Sequence, residues 1–289
     1  MLQIIVNSII SGLVLSLVAV GFNLIFNVTK VFHIAQGAIY IIGAYSYLLL
    51  FGKFQNEIIS IVGSFLIVSV LIFVIEKSIY LPFNKTQSNQ ILSFIASMSL
   101  YVILINLIAL FFGNENKTMD LNFSNPININ EILLTKVQII QLLVSLIILA
   151  VLIIYFFISN SKLVFQSISD NEIISKTFGI NIHTARMKVF LISSVLVCTA
   201  AILKLIDTGI DPRAGMSITL TAAVVSILVG RFNIKWLVAI SILLTLIQNY
   251  LEWFLNSQWR DGITFLILLI VILYRTEGIL SYNLRKDTL

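Results

Sequence analysis

The residues of this chain best suited to metal or nucleophilic chemistry are too few and too scattered to perform it. His33 and His183 stand far apart, and Cys198 is the single cysteine, in the middle of an apolar run. No ligand cluster with metal spacing and no internal disulfide follow from such a pattern, and Cys198 reads as a small buried hydrophobe. A phosphate-cradling loop needs G-x-x-x-x-G-K-[ST]. The nearest string, Gly52-Lys53, has no glycine-rich approach and no Ser or Thr after it. No catalytic residue, metal or cofactor is therefore expected.

The polar residues that do have ordered spacing suit mechanical work. Residues 160–187 form a polar stretch between apolar neighbours, and within it Ser169-Asp170-Asn171-Glu172 has the pattern of a capping box. Ser169 would cap the helix, with Asp170 and Glu172 at its positive end and Glu172 one turn from Lys176. Ile168 and Ile173 are spaced as a hydrophobic staple. Gly179 supplies the left-handed residue that stops the helix, Ile180 folds back toward Ile174, and Asn181 caps the next one. The result is a short rod carrying a small apolar stripe, Ile173, Ile174 and Phe178. Two surroundings suit that stripe: lipid headgroups, or a groove on a cytoplasmic partner. Two capped helices in succession make a rigid knob, and a helix resting on lipid would carry more basic residues than Lys176 alone, so the spacing favours the partner.

The elements that position this rod are membrane helices. Hydrophobic residues make up 59% of 289, charged residues 11%, and the mean hydropathy is +1.04, values foreign to a soluble domain of this size. The basic residues lie between apolar spans instead of forming a stripe with interleaved aromatics, so the net charge of +5 reports topology and not nucleic-acid binding. Apolar runs near 3–27, 34–51, 57–75, 89–112, 136–158, 187–206, 214–230, 234–254 and 262–274 predict an all-α, polytopic membrane protein of eight or nine spans in one domain, residues 1–289. Leu2 to Val28 is too long, and too poor in basic residues at its start, for a signal peptide. With the amino terminus outside, 12 of the 18 basic residues but only 5 of the 13 acidic ones fall on inner loops. The positive-inside rule selects that orientation, which puts the rod and the carboxyl terminus in the cytoplasm.

Ser8, Gly12 and Ser16 line the first span as a small-residue packing stripe, and Asn23 and Asn27 lie near its inner end. The second span opens with polar residues and has glycines at 37 and 43, as discontinuous transporter helices do. A cytoplasmic helix start capped by polar residues would give the same pattern. Its counterpart is the seventh span, which follows Asp211-Pro212-Arg213-Ala214-Gly215 and includes Thr219. Two short, interrupted spans in corresponding places suggest an inverted repeat meeting at a central pathway. Every Asp and Glu falls in or beside an expected loop, which argues against a carboxylate-driven secondary transporter. Residues 113–135 form the longest outer loop; it is a docking surface or a simple connection. Lys204 and Asp207, one turn apart, and Arg260-Asp261 read as ordinary interfacial charges, and Trp236, Trp253 and Trp259 as belt residues.

Several of these stretches resemble one family, the permeases of branched-chain amino acid ABC importers. The similarity runs through Gly12 to Gly21, then Phe32-His33-Ile34-Ala35-Gln36-Gly37-Ala38-Ile39-Tyr40-Ile41-Ile42-Gly43-Ala44-Tyr45, then Asp170 to Ile180, and closes with Trp259-Arg260-Asp261 and Tyr274-Arg275-Thr276-Glu277-Gly278. His33 stands where the family usually has Asn, Gly230-Arg231-Phe232-Asn233 where a glycine-rich turn is usual, and Thr276 where Pro is usual.

The resemblance implies a pore subunit of a bacterial-type plasma membrane that pairs with a second permease, is fed by an external solute-binding protein, and is driven by cytoplasmic ATPase subunits. It gives the coupling role to Asp170 through Gly179, with Asp170, Asn171, Glu172, Ile173, Lys176, Phe178 and Gly179 as the coupling residues, and Ser169 joins them as the expected cap of that helix. Asn23, His33, Ala35, Gln36, Gly37, Tyr40 and Thr219 are the expected pathway residues. The alternatives are an ion-coupled secondary transporter, an ABC permease for urea or amides, and a membrane subunit of a larger assembly that transports nothing.

Overall fold

The computed structural model describes residues 1–82, 90–119, 127–129, 132–254 and 259–274. Eleven helices carry the described chain: α1 (Leu2–Thr29), α2 (Gln36–Phe54), α3 (Glu57–Ile75, continued by a π turn, Glu76–Tyr80), α4 (Gln90–Phe112), α5 (Lys136–Ile158), α6 (Ser161–Asp170), α7 (Glu172–Thr177), α8 (Ile182–Thr208), α9 (Ala214–Val229), α10 (Ile234–Phe254) and α11 (Trp259–Tyr274). Each of the nine expected spans is a helix, with ends within five residues of those read from hydropathy. Seven are long and apolar enough to cross a bilayer; α9 and α11, at 16 residues each, are shorter. The all-α expectation meets one small departure inside the outer loop. Ile127–Ile129 (β1) and Ile132–Leu134 (β2) pair antiparallel, and Gln3 holds the hairpin to the start of α1 by exchanging two 2.9 Å bonds with the Leu133 backbone.

Helix boundaries follow ordinary capping chemistry. Thr135 and Gln138 close a capping box at the start of α5, and the Asn56 side chain accepts from the Ile59 amide at the start of α3. At the other ends, Lys30 and Gln55 adopt left-handed backbone to stop α1 and α2.

The helices pack as two equivalent halves, α1–α4 and α8–α11. α1 packs along α8; α1 meets α9 as α8 meets α2; α1 meets α10 as α8 meets α3; and α2 touches α4 as α9 touches α11. Five spans separate the start of the first half from that of the second, so α8 runs opposite to α1 and the halves are inverted. This is the repeat suggested by the two short spans.

α2 and α9 begin deep in the bundle. The Gln36 side chain, at the first residue of α2, donates to the Val18 carbonyl 3.1 Å away, halfway along α1. From Val18 to Thr29 a helix advances roughly 16 Å, which six extended residues recover. The six residues 30–35 do so as an irregular segment, exposed at Lys30 and largely buried from Val31 onward. Residues 209–213 return α8 toward α9 in the same way, tied by the backbone bonds between Ile210 and Lys117 at 2.9 and 3.0 Å. Gly37 and Gly215, each the second residue of its helix, meet there: a Cβ on either would collide with the carbonyl oxygen of the other. That reciprocity is what a local two-fold axis produces, and it explains the glycines through close approach. The interruption expected inside the second span therefore lies before it, and α2 itself is continuous. Gly43 does not break the helix but lets Cys198 pack against it.

Candidate functional site

The polar insert folds into two short helices, α6 and α7, hinged at Asn171. α6 buries Phe165 and Ile168 against the bundle and leaves Lys162 and Leu163 outside. Its last turn contains Ser169, which corrects the expected cap. The residue capping α7 is Asn171, in extended backbone, whose side chain accepts from the Ile174 amide at 3.0 Å. Asn caps as well as Ser does, and Ser169 is engaged elsewhere: it accepts from Lys30 Nζ at 3.3 Å and donates to Asn27 Oδ1 at 3.4 Å. The Glu172–Lys176 ion pair is not formed, whereas Arg231 pairs with Asp170 beside the rod and Arg186 with Glu76 within the bundle. The termination signals hold. Gly179 has φ +81°, Ile180 N donates to Ser175 O at 3.2 Å, and Asn181 caps α8 by accepting from the Thr184 amide at 3.1 Å.

A contact between the Ser167 and Ser175 hydroxyls, 2.6 Å apart, clasps α6 to α7. The rod is thus rigid, yet its apolar stripe touches little of this chain: Ile173 is 77% exposed and Phe178 82% exposed. Asp170, Asn171, Glu172, Lys176 and Gly179 are also exposed.

Behind the rod, a run of hydrogen bonds leads into the bundle. Asn27 Nδ2 donates to the Gly230 carbonyl at 3.1 Å, and Asn23 Nδ2 donates to the same carbonyl at 3.2 Å and to Ser226 Oγ at 2.9 Å. Gly230, at φ +72°, ends α9 in a left-handed conformation that presents this carbonyl to both asparagines. The next residue, Arg231, pairs with Asp170. The ends of α1, α6 and α9 are therefore one polar knot. Partial burial lowers the pKa of Lys30 at its edge, an effect that Asp170 opposes and Arg231 reinforces.

A second connection was hidden from sequence. Arg186, in the second turn of α8, lies by hydropathy on an inner loop just before the 187–206 run, and Glu76 lies just after the 57–75 run. Both are buried, at 3% and 0% exposure, with Arg186 Nε 3.3 Å from Glu76 Oε1. The correction has a structural cause: α3 does not end at Ile75 but continues through the π turn, where Glu76 and Tyr80 are both buried. The Tyr80 hydroxyl lies 2.8 Å from His33 Nδ1, and both rings pack on Phe190 of α8. The first turns of α8, just beyond the rod, are thereby joined to the irregular segment that leads to α2. A carboxylate is buried after all, but it is compensated by a guanidinium, unlike the lone ion-binding carboxylate that a secondary transporter would use.

Most of the expected pathway residues lie in helix contacts. Ala35 donates its amide to Ser97 Oγ at 3.0 Å, and Thr219 Oγ1 donates to the Gly215 carbonyl at 2.8 Å beside Gly37. Asn23, His33 and Gln36 are almost fully buried, and each leaves one polar atom without a protein partner. Tyr40 differs. One turn beyond Gly37, it lines a cavity of about 330 Å³ between α1, α5, α8, α9 and α10, together with Lys204 and Asp207. Those two residues, read as interfacial charges, also line an adjoining space of about 470 Å³ near the end of the bundle that carries the amino terminus. Arg275-Thr276-Glu277-Gly278 lies outside the described residues, as do the side chains of Arg260 and Asp261.

Inverted halves, two helices that begin and meet in mid-bundle, a cavity that reaches Tyr40 and an exposed rod at the opposite end are the features of a multi-pass membrane permease. Comparison with known proteins gives the family. Residues 4–273 match the family described as branched-chain amino acid transport system, permease component, and the chain belongs to it. It is 23% identical to the high-affinity branched-chain amino acid transport system permease protein BraD of Pseudomonas aeruginosa, over 97% of this chain and 95% of that one. The fold is similar to a chain in the structure of PsaBC from Streptococcus pneumoniae in complex with Fab, with a TM-score of 0.52, 14% identity, and coverage of 92% of this chain and 90% of that one.

Proposed function

We propose that this permease is the non-catalytic translocation subunit of a binding-protein-dependent importer for branched-chain amino acids, driven by separate ATPase subunits that seat on the α6–α7 rod. The carrying observation is the combination of exposure and attachment at that rod. Ile173 and Phe178 face away from the chain, while Ser169 and Asp170 are bonded to the ends of α1 and α9. A partner that binds the stripe pulls on helices whose other parts frame the Gly37–Gly215 crossing. Differential affinity of that partner for two arrangements is what shifts their populations. The family supports the substrate class, and the positive-inside distribution supports a plasma-membrane orientation with the amino terminus and the cavity end outside. A second permease copy or a sister chain completes the pore, and the solute-binding protein docks on the outer face.

Reconstitution tests the reading. Vesicles holding the permease, ATPase subunits and binding protein are expected to accumulate leucine only with hydrolysable ATP, and to lose uptake when the ATPase is hydrolysis-dead. Uptake that persists without ATPase subunits and follows an ion gradient would support the secondary-transporter alternative instead.

A further inference from the structure

At the end of the bundle that carries the rod, a surface groove of about 580 Å³ lies between α5, α6 and α10. Phe157 of α5, Lys162 and Leu163 of α6, and Lys235 of α10 all line it. Its floor is the buried ring of Phe156, held edge-on by Phe165 and Phe232 at centroid distances of 5.9 and 5.1 Å. The apolar wall above that floor is open: Phe157 is 86% exposed and Leu163 64%. Both lysines are exposed and belong to different helices, and the lining contains no Asp or Glu.

We propose that this groove binds an anionic phospholipid, with Lys162 and Lys235 on its phosphate and an acyl chain along Phe157 and Leu163. Charge decides the sign of the ligand: two ammonium groups on one concave surface repel each other, and a negative group between them relieves both. The setting decides its class. α5 is long and apolar enough to cross the bilayer and Phe157 stands in its last turn, so this wall faces acyl chains. Trp236, beside Lys235 and half-exposed, has the place of a belt residue at headgroup level. Lysines at that level extend their ammonium groups to the phosphate layer while their stems cover apolar surface, and basic pockets between membrane helices hold anionic headgroups. An acidic peptide would satisfy the lysines but not the wall that faces acyl chains. The site needs only that the chain spans a membrane, and so stands apart from the importer reading. A lipid bound there joins α6, the first helix of the rod, to α10 of the second half.

The test is native mass spectrometry of the purified full-length permease, titrated in detergent with phosphatidylglycerol or with phosphatidylcholine of the same acyl chains. Two lysines beside an anionic lipid correspond to about thirtyfold in affinity, so the first phosphatidylglycerol should bind about thirtyfold tighter than phosphatidylcholine. Lys162→Gln combined with Lys235→Gln should bring the two lipids to the same affinity. Lys77→Gln, which removes an exposed lysine outside the groove, should leave the preference intact. Glycerol phosphate at the same concentration should not displace the lipid, because it has no chain to lie on the apolar wall. Thermal unfolding shows that each surface variant is folded, and the lipid series on the wild-type chain stands even where a variant is not. Equal affinity of the wild-type chain for the two lipids would overturn the proposal, as would a loss in Lys77→Gln equal to that in the double variant. Displacement by glycerol phosphate would also overturn it, by marking a site for a soluble anion. So would a double variant that keeps its lipid preference and loses the ATPase subunits, since the groove would then be a protein-docking surface.

Discussion

Phe178→Asp is expected to lower ATP-driven uptake at least about thirtyfold while leaving the permease inserted and folded. The side chain is 82% exposed and follows the last turn of α7, so its removal costs the isolated chain little. In the assembled transporter the same ring is the largest apolar group on the stripe. Truncating an aromatic anchor in a desolvated pocket costs about 2 kcal/mol or more, and a carboxylate there adds a desolvation penalty. That energy corresponds to about thirtyfold in partner affinity. Gly179→Pro acts on the same contact through the backbone: φ +81° is closed to proline, so the stop after α7 and the approach to Asn181 must both shift. Co-purification of the ATPase, leucine uptake and the melting temperature of the purified permease are the three readings. Uptake at wild-type levels in both variants would show that the rod transmits nothing.

Arg186→Met should be the most damaging substitution for the fold. It leaves Glu76 buried without its guanidinium, and breaking one side of such a pair costs about 3–5 kcal/mol. The double change Glu76→Gln with Arg186→Met removes the stranded charge as well and should recover much of the loss, since a neutral pair of similar size is often no less stable. Thermal unfolding of the four proteins in one detergent checks the cycle. Equal melting temperatures for the single and double variants would mean that Glu76 is not left charged, or that solvent reaches it.

The architecture was legible in the sequence because it depends on long-range apolar patterning. Nine runs gave nine helices, and Gly179 and Asn181 marked their local stops by stereochemistry that needs no tertiary partner. The inverted repeat was also visible, as two short spans with a glycine near each start, although only the fold shows that Gly37 and Gly215 face one another. What escaped were choices decided by tertiary contacts. Ser169 had a capping pattern as good as that of Asn171, and lost to it because Asn27 and Lys30, over a hundred residues earlier in the chain, engage the serine hydroxyl. Arg186 and Glu76 were assigned to loops because hydropathy windows end spans at charges. Arg186 stands just before the 187–206 run, between His183 and Lys188, and nothing in that pattern marks it as buried. For Lys204 and Asp207, at the other end, the spacing was visible and the cavity was not.

The central claim is that energy enters through the α6–α7 rod, and cysteine cross-linking tests it most directly. Cys198 is the chain's single cysteine and is fully buried, so Cys198→Ala gives a background in which a thiol introduced by Phe178→Cys is unique. In inside-out vesicles holding the whole transporter, that thiol should cross-link to the ATPase subunit, with a yield that changes between nucleotide-free and ATP-bound states. A thiol that reacts only with reagents added from the external side, or that cross-links to no ATPase in a complex active for uptake, would contradict the account.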